Sequence, residues 1–300
     1  MKFVFFASDK PREHMLAAAM GAGLKNLGHD YELRRSADYG EDIEGNDLLW
    51  PGPSPDTDVA VFFGVKGKSR RIMDDHLSMD RHTVMLDKGY SRSKGENGHT
   101  EYSRTIINGP HPIGYMMRKE YSDDRFSRLG ISIANRRNQS KDGHILFCGS
   151  TSKYHDFNGI GDPTEYAQHT FNKIRKISQR HFVYRPKPSA KAAPSIPGAS
   201  YSGGSTSMAD ALRGCHVVVT HGSSAAMDAV LAGVPALILG RSIASPVSES
   251  DLANIENPFY PGTDLLHKWA NSMAYCQWTN NELRSGEAVQ HWLSVMRKKK

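Results

Sequence analysis

Residues 215–240 read Cys-His-Val-Val-Val-Thr-His-Gly-Ser-Ser-Ala-Ala-Met-Asp-Ala-Val-Leu-Ala-Gly-Val-Pro-Ala-Leu-Ile-Leu-Gly. Cys215–Thr220 is an apolar, β-branched run that predicts a buried strand. Ser223–Ala232 follows as a helix closed by Gly233, and Ala236–Leu239 as another strand. Strand, turn, helix and strand in this order form a unit of a parallel sheet. The turn His221-Gly222-Ser223-Ser224 is small and polar, so a phosphate can approach its backbone, and Ser223 and Ser224 add hydroxyls. Asp228 lies four residues after Ser224, on the same helix face. A carboxylate there can accept both hydroxyls of a ribose. A plainer reading makes Ser224 a helix cap and nothing more.

Outward from this segment the same alternation recurs. Towards the N-terminus the expected strands are Lys2–Ala7, Asp30–Arg34, Asp58–Val65, His82–Leu86 and Arg104–Ile107, with helices over Glu13–Leu27 and Ser69–Met79. A polar stretch, Ser127–Gly143, reads as a linker. The pattern restarts with strands His144–Cys148 and His181–Tyr184 and helices Pro163–Arg180 and Ser207–Arg213. Lys187–Gly204, rich in Pro, Ser, Ala and Gly, reads as a loop. Two helices, Leu265–Ala274 and Asn280–Met296, end the chain. Its 300 residues suit two α/β domains of roughly 120–150 residues each. The expected division is 1–130, 131–265 and a helical segment 266–300.

The segment His221–Pro235 resembles the donor-binding motif of GT-B glycosyltransferases and of the related sugar-nucleotide 2-epimerases. The matching residues are His221, Gly222, Ser223, Ser224, Asp228, Ala232, Gly233 and Pro235, with Asp228 where the family usually has Glu. The resemblance implies two Rossmann-like domains facing across a cleft, with C-terminal helices packing back across them. It also implies that the turn binds the diphosphate of a nucleotide sugar, a UDP-sugar by expectation, and that Asp228 binds its ribose. The tail Trp269–Glu287, with Leu-Arg-Ser-Gly-Glu after Ala-Tyr-Cys-Gln-Trp, is similar to tails of bacteriophage-encoded glycosyltransferases.

Further positions fit that frame. Tyr184-Arg185-Pro186-Lys187-Pro188 leaves the carboxyl end of a strand, where ligands of such folds bind. Arg185 and Lys187 are candidates to neutralise a leaving diphosphate. Gly149, Ser150 and Thr151 follow the first strand of the second domain and are candidates to face the donor. Without Gly-x-x-x-x-Gly-Lys-Ser/Thr, an ATPase phosphate loop is excluded. For the base that takes the acceptor's proton the first candidate is Asp87, with His14 and His111 as alternatives.

The net charge is +6, unevenly spread. Residues 1–125 hold 18 Lys/Arg against 20 Asp/Glu, and residues 126–300 hold 20 against 12. Residues 64–94 nevertheless hold 8 basic and 4 acidic side chains. Lys66, Lys68, Arg70, Arg71, Lys88, Arg92 and Lys94 there suggest a rim for a polyanion. Together with the phage-like tail, they suggest double-stranded DNA as partner, with a flipped 5-hydroxymethylpyrimidine as the acceptor. Rival readings are a transferase acting on a surface polysaccharide or glycolipid, a sugar-nucleotide 2-epimerase, and a non-catalytic DNA-binding protein. No apolar run approaches the roughly 18 residues that span a bilayer. Cys148, Cys215 and Cys276 show no metal spacing and read as buried, reduced thiols. A cytoplasmic monomer without a metal site is expected. Mg2+ on the donor is left open, since no residue pattern calls for it.

Overall fold

A computed structural model describes residues 1–40, 57–91, 101–138, 140–187, 195–203 and 205–296. In chain order the first elements are β1 (Lys2–Ala7), α1 (Pro11–Asn26), β2 (Asp30–Arg35), β3 (Val59–Phe63), α2 (Ser69–Ser78), β4 (His82–Lys88) and β5 (Tyr102–Ile107). There follow α3 (Asp124–Arg128), β6 (His144–Cys148), α4 (Ser152–Asn158), α5 (Pro163–Arg175), β7 (Phe182–Arg185), β8 (Ser200–Tyr201) and α6 (Met208–Ala211). The chain continues through β9 (Cys215–Thr220), α7 (Ala225–Leu231), β10 (Ala236–Ile238), α8 (Thr263–Ala274), β11 (Gln277–Thr279), α9 (Asn280–Ser285) and α10 (Glu287–Met296). These elements form two compact units, Met1–Lys119 with Met273–Lys300, and Glu120–Ser272.

The first unit is built on a six-stranded sheet of order β11-β5-β4-β3-β1-β2. The strands β2, β1, β3 and β4 are parallel, β5 runs antiparallel to β4, and β11 antiparallel to β5. All five residues of β3 are buried, as a strand covered on both faces requires. α1 buries Leu16, Met20 and Leu24, one face at a four-residue repeat, and the same face carries Glu13. The last elements of the chain belong to this unit. Gln277 is fully buried, and its Oε1 accepts from the N–H groups of Tyr90 and Ser91 at 2.8 and 2.9 Å. It thereby satisfies the backbone that leaves β4. Trp292 donates to the Thr105 hydroxyl at 3.1 Å, so its buried indole N–H is also satisfied.

The second unit holds a five-stranded, all-parallel sheet of order β10-β9-β6-β7-β8. β9 is buried at all six positions. Ile145, Phe147, Phe171, Phe182, Val217 and Leu237 form the centre of its core. α5 starts sharply because Asp162 accepts from the N–H groups of Thr164 and Glu165, with Pro163 in the first turn. Gly233 closes the helical turn after α7 at φ +80°, and an added Cβ would lie 2.1 Å from the Asn135 carbonyl oxygen.

Several elements depart from expectation. Residues 200–201, expected within a loop, form β8 beside β7 because Val183 and Tyr184 pair with them. The helix expected to run to Arg180 ends at Arg175, whose guanidinium donates to the carbonyls of Ser178 and Arg180 and fixes the turn there. The final helix breaks into α9 and α10 at Gly286. The polar stretch expected as a linker lies along the second unit: Ala134 and Arg137 donate to the Leu231 and Gly233 carbonyls at 2.8 Å.

The join between the chain ends yields a stability prediction. Gly23 of α1 lies against α9, where an added Cβ would sit 2.2 Å from the Leu283 carbonyl oxygen. Backbone cannot yield as a side chain does, so Gly23→Val should cost about 2 kcal/mol or more by overpacking. Urea unfolding checks this, and an unchanged midpoint would contradict the packing.

Candidate functional site

Parallel pairing sets the site in the second unit. The register aligns Cys148 at the end of β6 with Thr220 of β9 on one side and Arg185 of β7 on the other. The segments His221–Ser224, Gly149–Thr151 and Pro186–Lys187 therefore leave one edge of the sheet side by side, the edge where ligands of open α/β folds bind. The fully buried Thr220 hydroxyl donates to the Cys148 carbonyl at 2.9 Å and accepts from the Ser223 N–H at 3.2 Å, closing the turn. Ser223 Oγ accepts from the Ala225 N–H at 3.2 Å. Ser223, not Ser224, is thus the hydroxyl that caps α7; Ser224 makes no side-chain cap bond and is exposed. α7 is only seven residues long, so the turn's own N–H groups and hydroxyls, more than a helix dipole, are what it offers an anion. Asp228 is half-buried one turn on, and its charge is among those that push the Cys148 thiol up, after burial. Thr151 caps α4 by accepting from the Tyr154 N–H, which gives it a structural task.

His221 is the centre of an aromatic cluster. Its Nδ1 lies 2.8 Å from the Tyr166 hydroxyl, and its ring meets those of Tyr154 and Tyr166 edge-on at 6.2 and 5.4 Å. The buried His155 ring meets Tyr166 in turn at 5.4 Å and donates from Nδ1 to the Gly161 carbonyl at 2.9 Å. Burial, and then the neighbouring His155, hold the His221 imidazole below the usual histidine range. Gly240 packs on the other side and donates its N–H to the His221 carbonyl at 2.9 Å.

The expected cations fare differently. Arg185 is buried, and its guanidinium donates to the Ser202 hydroxyl at 2.9 Å and to the Gly203 and Thr206 carbonyls at 3.3 and 2.8 Å. It shapes the 202–206 loop. Lys187 is exposed beyond it. A cation that the spacing did not reveal belongs to a segment packed on the turn. Arg241 follows Gly240, and its carbonyl would lie 2.3 Å from a Cβ on Gly222. Its side chain is exposed and forms no ion pair among the described residues. Next to it Ser242 donates from Oγ to the Ser223 carbonyl at 3.4 Å, so the 240–242 segment is held to the turn. A separate cavity of about 360 Å³, lined in part by Asn135, Arg136, Tyr260, Thr263 and His267, lies by the opposite end of α7, where Tyr260 donates to the Val230 carbonyl.

In the first unit, Asp87 at the end of β4 is bound to Arg104, which donates to Oδ2, and to the Lys88 N–H, which donates to Oδ1 at 2.8 Å. Burial pushes this carboxyl up, but Arg104, the Lys88 N–H and Arg12 outweigh burial and leave it below the usual range. A carboxylate held charged this way binds protons weakly, which suits an anchor better than a base. His14 is exposed on α1. Its neighbour Glu13 points inward, accepting from the Ser8 N–H and hydroxyl at 2.8 and 2.9 Å and from Lys66. The repeat Glu13, Leu16, Met20, Leu24 is the signal that places it there. His111 follows β5, whose carboxyl end pairs with Val84 at the start of β4. It leaves the sheet at the edge opposite Asp87, so the two do not share a site.

Three of the seven rim cations are paired within the unit. Lys66 is bound to Glu13, Arg70 to Asp74 at 2.6 Å, and Arg71 to Asp75 at 3.6 Å. Lys68 is half-buried and Lys88 exposed, while Arg92 and Lys94 lie outside the described residues. All three cysteines are buried and none is in a disulfide. Among the described residues no three His, Cys, Asp or Glu side chains gather as a metal site, and no helix is long and apolar enough to cross a membrane.

No protein-family model matches the chain, and no curated protein does. Solved structures do. KpsC of Thermosulfurimonas dismutans, described as a β-Kdo 2,4-transferase, is similar at 11% identity over 91% of this chain and 90% of that chain, with a TM-score of 0.51. KpsC described as a β-Kdo 2,7-transferase matches at 12% identity over 97% and 100%, with a TM-score of 0.49. The glycosyltransferase SnogD of Streptomyces nogalater matches at 11% over 98% and 99%, with a TM-score of 0.30. At such identities the first of these bears on the fold alone. The fold is α/β with two Rossmann-like units, the architecture of GT-B glycosyltransferases.

The charge pairing of the first unit has a measurable consequence. Burial raises the Glu13 carboxyl, but Lys66 and Ser8 more than reverse this, leaving it below its unfolded value of 4.5. The pair therefore adds stability that is full above pH 4.5 and is lost as the pH falls through the lower folded value. Lys66→Met should cost about 3 kcal/mol near neutrality by leaving a buried carboxylate unpaired, and should flatten this acid limb. Lys88→Met, at an exposed position, should stay within about 0.5 kcal/mol. Urea midpoints against pH check both; equal, small effects would mean that Lys66 is free for other partners.

Proposed function

We propose that the protein is a nucleotide-sugar-dependent glycosyltransferase of hexosyltransferase type, moving a sugar from a UDP-sugar-type donor to a hydroxyl acceptor. The observation that carries this is the gathering of His221–Ser224 and Gly240–Ser242 at the carboxyl edge of the second sheet, with Asp228 one turn beyond. The turn supplies N–H and hydroxyl donors for a diphosphate, and Arg241 supplies the positive charge that Arg185 has committed to its loop. As the bond to the sugar breaks, charge grows on the departing phosphate, and donors fixed in advance stabilise it without rearranging. Asp228 accepts the ribose hydroxyls. Gly149 and Ser150 border the same edge, and Lys187 extends its reach towards the outer phosphate.

The acceptor is proposed only as a hydroxyl. The reading of duplex DNA bearing a 5-hydroxymethylpyrimidine drew on seven cations, and three of these are engaged by Glu13, Asp74 and Asp75. That pairing offsets part of the positive charge a phosphate backbone would meet.

Titration calorimetry with UDP tests the donor site. Asp228→Ala should weaken UDP binding at least tenfold, about 1.4 kcal/mol, through loss of charge-assisted hydrogen bonds to the ribose. Arg241→Ala should weaken UDP similarly but leave uridine binding unchanged, because uridine lacks the diphosphate. Wild-type affinity in both variants would overturn the assignment. Supplying a UDP-sugar without acceptor separates a transferase, which leaves the sugar's configuration intact, from an epimerase, which changes it.

A further inference from the structure

We infer that Tyr166 is a positioning residue that holds His221 in the tautomer bearing its proton on Nε2, so that a neutral N–H is aimed at the donor's diphosphate. The inference rests on the donor reading above for its ligand, but not for its geometry. Tyr166 stands in the first turn of α5, which Asp162 and Pro163 anchor. Its phenol is pushed up to about 12 by burial, so it stays protonated and its O–H needs an acceptor. Among the described residues, His221 Nδ1, 2.8 Å away, is the only partner of that hydroxyl. If Nδ1 carried the proton and donated instead, the phenol O–H would have no acceptor among the described residues and only solvent to bond. Tyr166 therefore donates, Nδ1 accepts, and the imidazole proton is on Nε2.

The other side of the ring is arranged to match. Nε2 makes no hydrogen bond among the described residues, although it is not sealed from solvent. Gly240 lies against the face of the ring at that nitrogen, where an added Cβ would lie 2.3 Å from Nε2 and 2.6 and 2.7 Å from its two ring neighbours, over the ring plane and out of line with the N–H. Only a glycine lets the backbone pack this closely on the ring's face. Tyr154 closes a further side edge-on, so the ring can neither tilt nor flip without losing the Tyr166 bond. His221 opens the turn whose next residues carry further donors, the Ser223 and Ser224 hydroxyls among them, while the Ser223 N–H is taken by Thr220. A phosphate oxygen on that turn is the acceptor that an Nε2–H held there suits. Burial holds the second histidine, His155, below the usual histidine range, and its Nδ1 is committed to Gly161. It supports Tyr166 by ring contact and leaves the Tyr166–His221 bond undisturbed.

The test uses the full chain with 15N-labelled histidine, with the His221 signals assigned through His221→Asn, and UDP as the probe. In the wild type, Nδ1 should appear unprotonated and Nε2 protonated. Tyr166→Phe, which removes only the hydroxyl, should turn His221 into a mixture of tautomers and weaken UDP about fivefold to tenfold. Gly240→Ala, which leaves the Tyr166 hydroxyl in place, should weaken UDP at least as much by displacing the ring. A wild-type ring protonated on Nδ1, or an unchanged tautomer in Tyr166→Phe, would overturn the positioning role. A tautomer that shifts while UDP affinity holds would overturn the aim at the diphosphate. If the wild type bound no UDP, the donor reading would fall and the aim with it, while the tautomer measurement would still decide the role of Tyr166.

Discussion

The hydroxyl of Thr220 donates to the Cys148 carbonyl and accepts from the Ser223 N–H, and through these two bonds it ties the end of one buried strand to the start of the next turn. The all-parallel sheet makes this junction matter. Strands covered on both faces leave polar backbone exposed only at their ends, and the carboxyl ends converge on one edge. Thr220 fixes the level at which β9 stops, Cys148 and Arg185 stop at the same level, and the loops beyond are forced together. The tyrosine–histidine cluster and the Ser242 contact then settle on that frame.

The first unit is organised by a different constraint, the need to neutralise charge at the ends of β1, β3 and β4. Glu13 with Ser8 and Lys66 forms one knot; Asp87 with Arg104 and the Lys88 N–H forms another. Both carboxylates are held below their ordinary range although burial alone would raise them. Gln277, from the far end of the chain, satisfies the backbone next to the second knot. Mostly covered charge pairs of this kind are costly to break, so these residues read first as architecture.

The parts of this arrangement that could be read from the sequence are the local ones. The strand Cys215–Thr220, its turn, α7 and the closing Gly233 follow from period and turn chemistry within about twenty residues. The partners of the turn could not be read that way. Tyr154, Tyr166, Gly240 and Arg241 come from three other segments, and only the sheet register brings them to His221. Arg185 looked like a cation leaving a strand end, but the 202–206 segment folds over it and engages it. β8 was hidden by its loop-like composition and its two-residue length. His111 was misplaced for a topological reason: β5 runs against β4, so its exit is at the wrong edge. Glu13 was legible in principle, since it keeps step with Leu16, Met20 and Leu24, whereas His14 does not.

The central claim is that the carboxyl edge of the second sheet holds a nucleoside diphosphate. A crystal structure of the protein with UDP tests it most directly. The account predicts phosphate oxygens within hydrogen-bond distance of the Ser223–Ser224 turn and of His221 Nε2, with the ribose on Asp228. UDP seated elsewhere, for example in the cavity by Tyr260 and His267, with the turn untouched, would contradict it.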